Sequence, residues 1–123
     1  MRVVHRVDVR GGAGDGPATW GQAAIRRALA ALEPLDHQFN LVWGGPLDAA
    51  VPTEAATAVV RALVEQHDSL RTRIHPRDDG FVQELCGVGE VEVVEERVAD
   101  VGEVAASGAR LRDELWGLSL IHI

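Results

Sequence analysis

A chain of 123 residues, 46% of them apolar, has room for one small domain with a single core. Its 12 basic side chains stand against 19 acidic ones, a formal charge of −7 that disfavours tracking a phosphate backbone and argues against a nucleic-acid partner. Cys86 is the only cysteine, which excludes an intrachain disulfide, a thiolate zinc cluster and a CxxC redox pair and fits a reducing cytoplasm. No apolar run approaches the roughly 18 residues that signal a membrane span, so no membrane partner is expected.

Val3, Val4, Val7 and Val9 lie among charged residues in a mostly alternating pattern, which predicts a short half-buried edge strand. The run Gly11-Gly12-Ala13-Gly14-Asp15-Gly16 is too free in its backbone for a helix or strand and is expected to be a linker. A phosphate cradle would need a following Lys-Ser or Lys-Thr and a helix entered directly, and Pro17-Ala18-Thr19-Trp20 supplies neither.

From Thr19, which is placed to cap it, an amphipathic helix is expected to run to Leu32, with Trp20, Ala24, Ala28 and Leu32 in one stripe and Ile25 and Leu29 beside it. Pro34 stops it. Phe39 to Trp43 reads as a strand entering the Gly44-Gly45-Pro46 turn. A second helix follows, with Pro52 in its first turn, Thr53 and Glu54 helping to cap it, and Ala56, Val59, Val60, Leu63 and Val64 buried, up to about His67.

Beyond Ser69 the spacing changes to alternation: Leu70, Thr72 and Ile74, a turn at Asp78-Asp79-Gly80, and Phe81 to Leu85 predict a β-hairpin. Valines 91, 93, 94 and 98 among glutamates predict another strand, and Ala105 to Trp116 returns to helical spacing. Strands and helices in this order define an α/β class rather than a bundle or an all-β sandwich.

The final residues, Leu118-Ser119-Leu120-Ile121-His122-Ile123, match the translation of CTGTCTCTTATACACATC, a transposase adapter sequence used in DNA library preparation. They also read as an apolar carboxy-terminal strand, but a match through all of them, followed in one common adapter by a stop codon, favours the adapter. They are therefore set aside from fold reasoning, and the natural frame is expected to run on past about Gly117.

At the junction of the second helix and the hairpin, Gln66-His67-Asp68-Ser69-Leu70-Arg71-Thr72-Arg73-Ile74 resembles the second core motif of the condensation domains of nonribosomal peptide synthetases, Arg-His-Glu-x-Leu-Arg-Thr-x-Phe. Thr19 to Ile25 is a looser match to their first motif, Ser-x-Ala-Gln-x-Arg-Leu-Trp, with Gln22 at the glutamine. Between and beyond them, Phe39-Asn40-Leu41, Gly45-Pro46-Leu47-Asp48 and Gly80-Phe81-Val82-Gln83 fall where the family has an asparagine-led strand, a Gly-x-Leu-Asp turn and a Gly-x-x-Gln hairpin. The departures are Asp68 for glutamate, Ile74 for phenylalanine and Ala24 for arginine. They leave open which branch of the family, peptide-forming, ester-forming, epimerisation-type or inactive, is the nearer.

The resemblance implies residues 1–16 as strand and linker, 17–117 as the amino-terminal lobe of a chloramphenicol-acetyltransferase-like fold, and 118–123 as a non-native tail. A carboxy-terminal lobe would complete the active-site tunnel. The family joins an acyl or peptidyl thioester, carried by phosphopantetheine on a partner carrier protein, to an amine or hydroxyl acceptor; no cofactor is expected on the chain itself. Its His-His-x-x-x-Asp-Gly motif is absent: no two of His5, His37, His67, His75 and His122 are adjacent, so no catalytic residue is assigned and no metal site is expected. A non-catalytic α/β module that binds a carrier protein or stabilises an assembly is the alternative.

Gln22, His67, Leu70, Arg71 and Thr72 are the motif residues carried over, with structural roles. Arg71 would pair with the aspartate of the histidine motif, for which a planar guanidinium fork suits a carboxylate; a solvated strand arginine is an equal alternative. His67 is expected as a helix cap rather than a base, Trp20 as a core anchor and Gln22 as a buried hydrogen-bonding group. Asp78-Asp79 reads as a solvated turn and Cys86 as a buried thiol.

Overall fold

The computed structural model describes residues 1–36 and 44–114. Its elements are β1 (Arg2–Arg10), β2 (Gly14–Pro17), α1 (Trp20–Ala31), α2 (Thr53–Gln66), a 3₁₀ turn (Asp68–Arg71), β3 (Thr72–Arg77), β4 (Gly80–Leu85), β5 (Val88–Glu96) and α3 (Val101–Glu114). The chain is mixed α/β, as its order of patterns predicts. The expected strand Phe39–Trp43 and the tail 118–123 lie outside the described residues.

β1 alternates as its sequence does, and the side chains of Val7 and Val9 are buried on one face. It pairs antiparallel with β5 along its whole length, from Arg2 opposite Glu96 to Arg10 opposite Val88. Helix α2 lies on this two-stranded sheet: Val64 joins Val7 and Val9 in the core, with Val60, Val91 and Val93 packed around it. Burial of a valine side chain contributes on the order of 1.5–2 kcal/mol, so this small cluster is the main apolar source of stability in the described residues.

The second sheet has the order β2-β4-β3, all antiparallel. The glycine run is therefore not a plain linker: Gly14 to Pro17 pairs with Val82 to Leu85. The stretch from β1 to β2 runs antiparallel to the stretch from β4 to β5, and three residues, Gly11 to Ala13, stand opposite two, Cys86 and Gly87. An extra residue on one side makes a bulge, which shifts the register and bends the ladder. The fit there is close. A Cβ on Gly87 would come within 2.9 Å of the Ala13 Cβ.

Other boundaries differ from expectation for local reasons. Leu70 and Arg71 belong to the 3₁₀ turn rather than to the hairpin strand, because the Leu70 N–H donates back to the His67 carbonyl. Pro52 is the residue before the helix, with extended ψ of 146°, and not part of its first turn. Thr53 makes no cap; its hydroxyl donates to Glu95 on β5. Helix α3 starts at Val101 rather than Ala105 because Asp100 Oδ1 accepts the Glu103 N–H and Glu103 accepts the Ala99 N–H, a reciprocal start signal. The hairpin turn is as expected, with Asp78 at φ 45°, a left-handed conformation that aspartate tolerates. No helix among the described residues is long and apolar enough to cross a membrane.

Candidate functional site

The segment with the strongest motif, Gln66 to Ile74, turns the chain from α2 into β3, and Arg71 sits at its centre. This side chain is only 2% exposed, so it is not a solvated strand arginine. Its Nε donates to the Val64 carbonyl at 3.1 Å; one terminal nitrogen donates to the carbonyls of Gly12 (2.8 Å) and Cys86 (3.0 Å); the other donates to Glu65 (3.5 Å) and to Asp68 Oδ1 at 2.6 Å. Every donor of the guanidinium fork is thereby used, which is how a buried arginine is tolerated.

These acceptors come from the end of α2, the bulge after β1 and the turn between β4 and β5. Arg71 thus fastens the two sheets at the point where their ladder is interrupted. The main chain repeats the tie, with the Cys86 N–H donating to the Arg71 carbonyl at 2.8 Å and the Gly11 N–H to Gly87 at 3.0 Å. Gly11 covers the guanidinium so closely that a Cβ there would collide with Arg71 Cζ and both terminal nitrogens. The only charged partner, Asp68, is well exposed at 70%.

Beside this joint an open trough of about 350 Å³ runs over the three-stranded sheet, lined by Gly14, Gly16, Asp68, Thr72, Gln83 and Leu85 together with Asp15. Register sets its floor: Gly14, Leu85 and Thr72 form one row across the strands, and Gly16, Gln83 and Ile74 the next. A Cβ on Gly14 or Gly16 would meet no atom within 4 Å, so these glycines hold space open rather than relieve a clash.

At the far end of the trough α1 is attached through polar contacts. Thr19 and Gln22 form a capping box, and Gln22 Nε2 donates to Gln83 Oε1 at 3.2 Å; Gln83 in turn donates to the Pro17 carbonyl. Arg27 lies over the Phe81 ring, 5.4 Å from its centroid. Trp20 is not the core anchor its spacing implies: it is 86% exposed, and α1 has no buried residue.

Of the motif residues, the structure brings Arg71 and Thr72 to the joint and trough, and Gln22 to Gln83 at the trough's end. The Thr72 hydroxyl donates to the Asp68 carbonyl at 2.8 Å. His67 ends α2 through its backbone N–H, which donates to the Leu63 carbonyl at 3.1 Å, and its side chain is exposed. Leu70 is 38% exposed and does not line the trough. Sequence reasoning missed the glycines of the bulge and of β2, and the only signal for them was the density of glycine itself.

The trough offers the bare backbone of Gly14 and Gly16, the Leu85 side chain, the Gln83 amide, the Thr72 hydroxyl and the exposed Asp68 carboxylate. Its lining of amide, hydroxyl and carboxylate groups, without a lysine or arginine, suits a neutral or cationic chain. Cys86 is half-buried on the opposite face of the sheet, where a second open groove also contains Arg73 and Glu84. Among the described residues no group of three or more His, Cys, Asp and Glu side chains is arranged to hold a metal ion. Comparison of the chain with family models, curated proteins and solved structures gives no match.

Proposed function

We propose that this chain is the amino-terminal lobe of a condensation-type acyltransferase, which joins a carrier-bound acyl or aminoacyl thioester to an amine or hydroxyl acceptor in nonribosomal peptide biosynthesis. One observation carries the reading. Two segments that resemble separate motifs of that family, around Gln22 and around Gln83, meet in a side-chain hydrogen bond across 61 residues of sequence, next to the segment centred on Arg71. Local pattern alone gives no reason for these stretches to share one site.

On this reading the trough is part of the wall along which the phosphopantetheine arm of a carrier protein lies, and its lack of cationic lining suits the neutral amides of that arm. The proton-handling histidine belongs to the downstream motif, and this chain alone is inactive. The chloramphenicol-acetyltransferase-like fold, a cytoplasmic location and the complementing carboxy-terminal lobe are parts of the same proposal.

A long-read sequence of the source DNA across the codon for Gly117, without transposase fragmentation, tests it. A frame that continues into His-His-x-x-x-Asp-Gly is the expected result. A genomic stop directly after Ile123 would sink the enzyme reading. It would favour the second reading, a non-catalytic module that binds a carrier protein, for which the absence of adjacent histidines is the supporting observation. Titration of the chain with carrier protein in its phosphopantetheine-bearing and bare forms then measures that interaction directly.

A further inference from the structure

The two edges of the β1–β5 sheet are finished differently. At the carboxy-terminal end of the outer edge of β1, α2 satisfies two outward peptide groups: Arg61 Nε donates to the Asp8 carbonyl at 3.1 Å, and the Arg10 N–H donates to Glu65 Oε1 at 3.0 Å. Since Asp8 and Arg10 point their peptide groups outward, the antiparallel pattern also assigns outward peptide groups to their partners, Glu90 and Val88. The same alternation continues through Glu92, Val94 and Glu96. Among the described residues β5 pairs with β1 alone, so its outer edge is unpaired over nine residues.

Helix α2 is also incomplete on that side. With about 3.6 residues per turn, Val59 and Leu63 occupy the flank opposite Arg61 and Glu65, and so overhang the β5 edge. They are 58% and 47% exposed, although Val60 and Val64 beside them reach the core. A nine-residue edge with no partner strand among the described residues, next to an apolar shelf, is the geometry in which another strand adds.

Charge selects the occupant. On the sheet face away from α2, Glu90 and Glu92 share one cation among the described residues, Arg6, at 3.5 and 3.8 Å. A second copy of this chain fits poorly, because β5 against β5 would bring both pairs of glutamates onto one face, and β5 against the outer edge of β1 would have to displace the α2 contacts at Asp8 and Arg10. We infer that the outer edge of β5 takes up an extended segment of a partner polypeptide, with lysine or arginine at alternate positions facing Glu90 and Glu92, and aliphatic side chains between them covering Val59 and Leu63. The inference goes beyond the proposed acyltransferase role and does not rest on it.

Backbone amide exchange on the full chain tests it, with a short peptide of alternating valine and lysine as probe and a valine–glutamate peptide as control. At ten times its dissociation constant the lysine peptide slows exchange at Glu90, Glu92 and Val94 by about tenfold, and the control does nothing. Glu92→Lys reverses the preference. Val59→Glu, at an exposed position, keeps the circular dichroism and thermal midpoint and loses the peptide. The inference is overturned if those amides are already protected in the free protein, if both peptides bind alike, or if protection falls on β2 or β3 instead.

Discussion

The two sheets hold together by opposite means. Around β1, β5 and α2 the contacts are aliphatic, and Val7, Val9 and Val64 are each no more than 7% exposed. Within β2, β4, β3 and α1 no residue is buried, and the buried residues beside them are polar, Arg71 at the boundary and Asp36 after α1; α1 is fixed by side-chain amide hydrogen bonds and one cation–π contact, with its tryptophan in water. The difference teaches that the valine layer carries the stability and the glycine- and glutamine-lined layer carries an accessible surface. A surface kept open for a ligand cannot also be filled by its own side chains.

Arg71 is where the comparison breaks most readily, since it fastens one layer to the other. Arg71→Ala leaves buried carbonyls from three segments without a donor, and a loss of about 3–5 kcal/mol is expected in urea denaturation. Arg71→Lys restores charge without the planar fork and should recover little of it. Gly11→Ala, which drives a methyl group into the guanidinium, should destabilise by about 1–3 kcal/mol in the same assay. If Arg71→Ala is nearly neutral, the two layers are joined by their main chain alone.

The contrast sharpens with one truncation in each layer. Val9→Ala, at a fully buried site, should cost about 2 kcal/mol, while Trp20→Ala, which removes a far larger side chain from an exposed site, should stay within about 0.5 kcal/mol. Thr19→Ala falls between them, at about 1 kcal/mol, because it opens the capping box that also orients Gln22 toward Gln83. Equal losses for Val9 and Trp20 would mean that α1 packs more closely than its exposure shows.

What the sequence makes legible follows the same division. The position of helix α2, the alternation of β1 and the Asp78-Asp79 turn are local patterns with local causes and are found where the pattern puts them, but Val59 and Leu63 of the α2 stripe are 58% and 47% exposed instead of buried. The α1 stripe is equally regular, yet periodicity reports only that a face is apolar, not that another element covers it. Arg71 and the glycine run fail differently. The arginine is buried by carbonyls from Gly12, 59 positions away, and Cys86, 15 away, and Gly14 becomes a strand residue only because β4 supplies its ladder. Such long-range pairing leaves no trace in a short window, so the site is legible only as motif residues without a geometry.

The smallest effect belongs to the valine layer and is read by pH. The Glu95 carboxyl is held below the usual carboxylate range, first by the hydrogen bond from Thr53 and then by that from His5, 3.1 Å away. Because folding lowers this pKa, its contribution is complete above the unfolded carboxylate's value and disappears as pH falls through the lower folded value. Thr53→Val removes the larger of the two causes. The Glu95 titration, followed by carboxyl-carbon NMR, should then move upward toward the ordinary range, and the loss of stability on acidification should become shallower. An unchanged titration would mean that His5 alone holds the carboxylate, and that α2 is anchored to β5 by valine packing without help from its first residue.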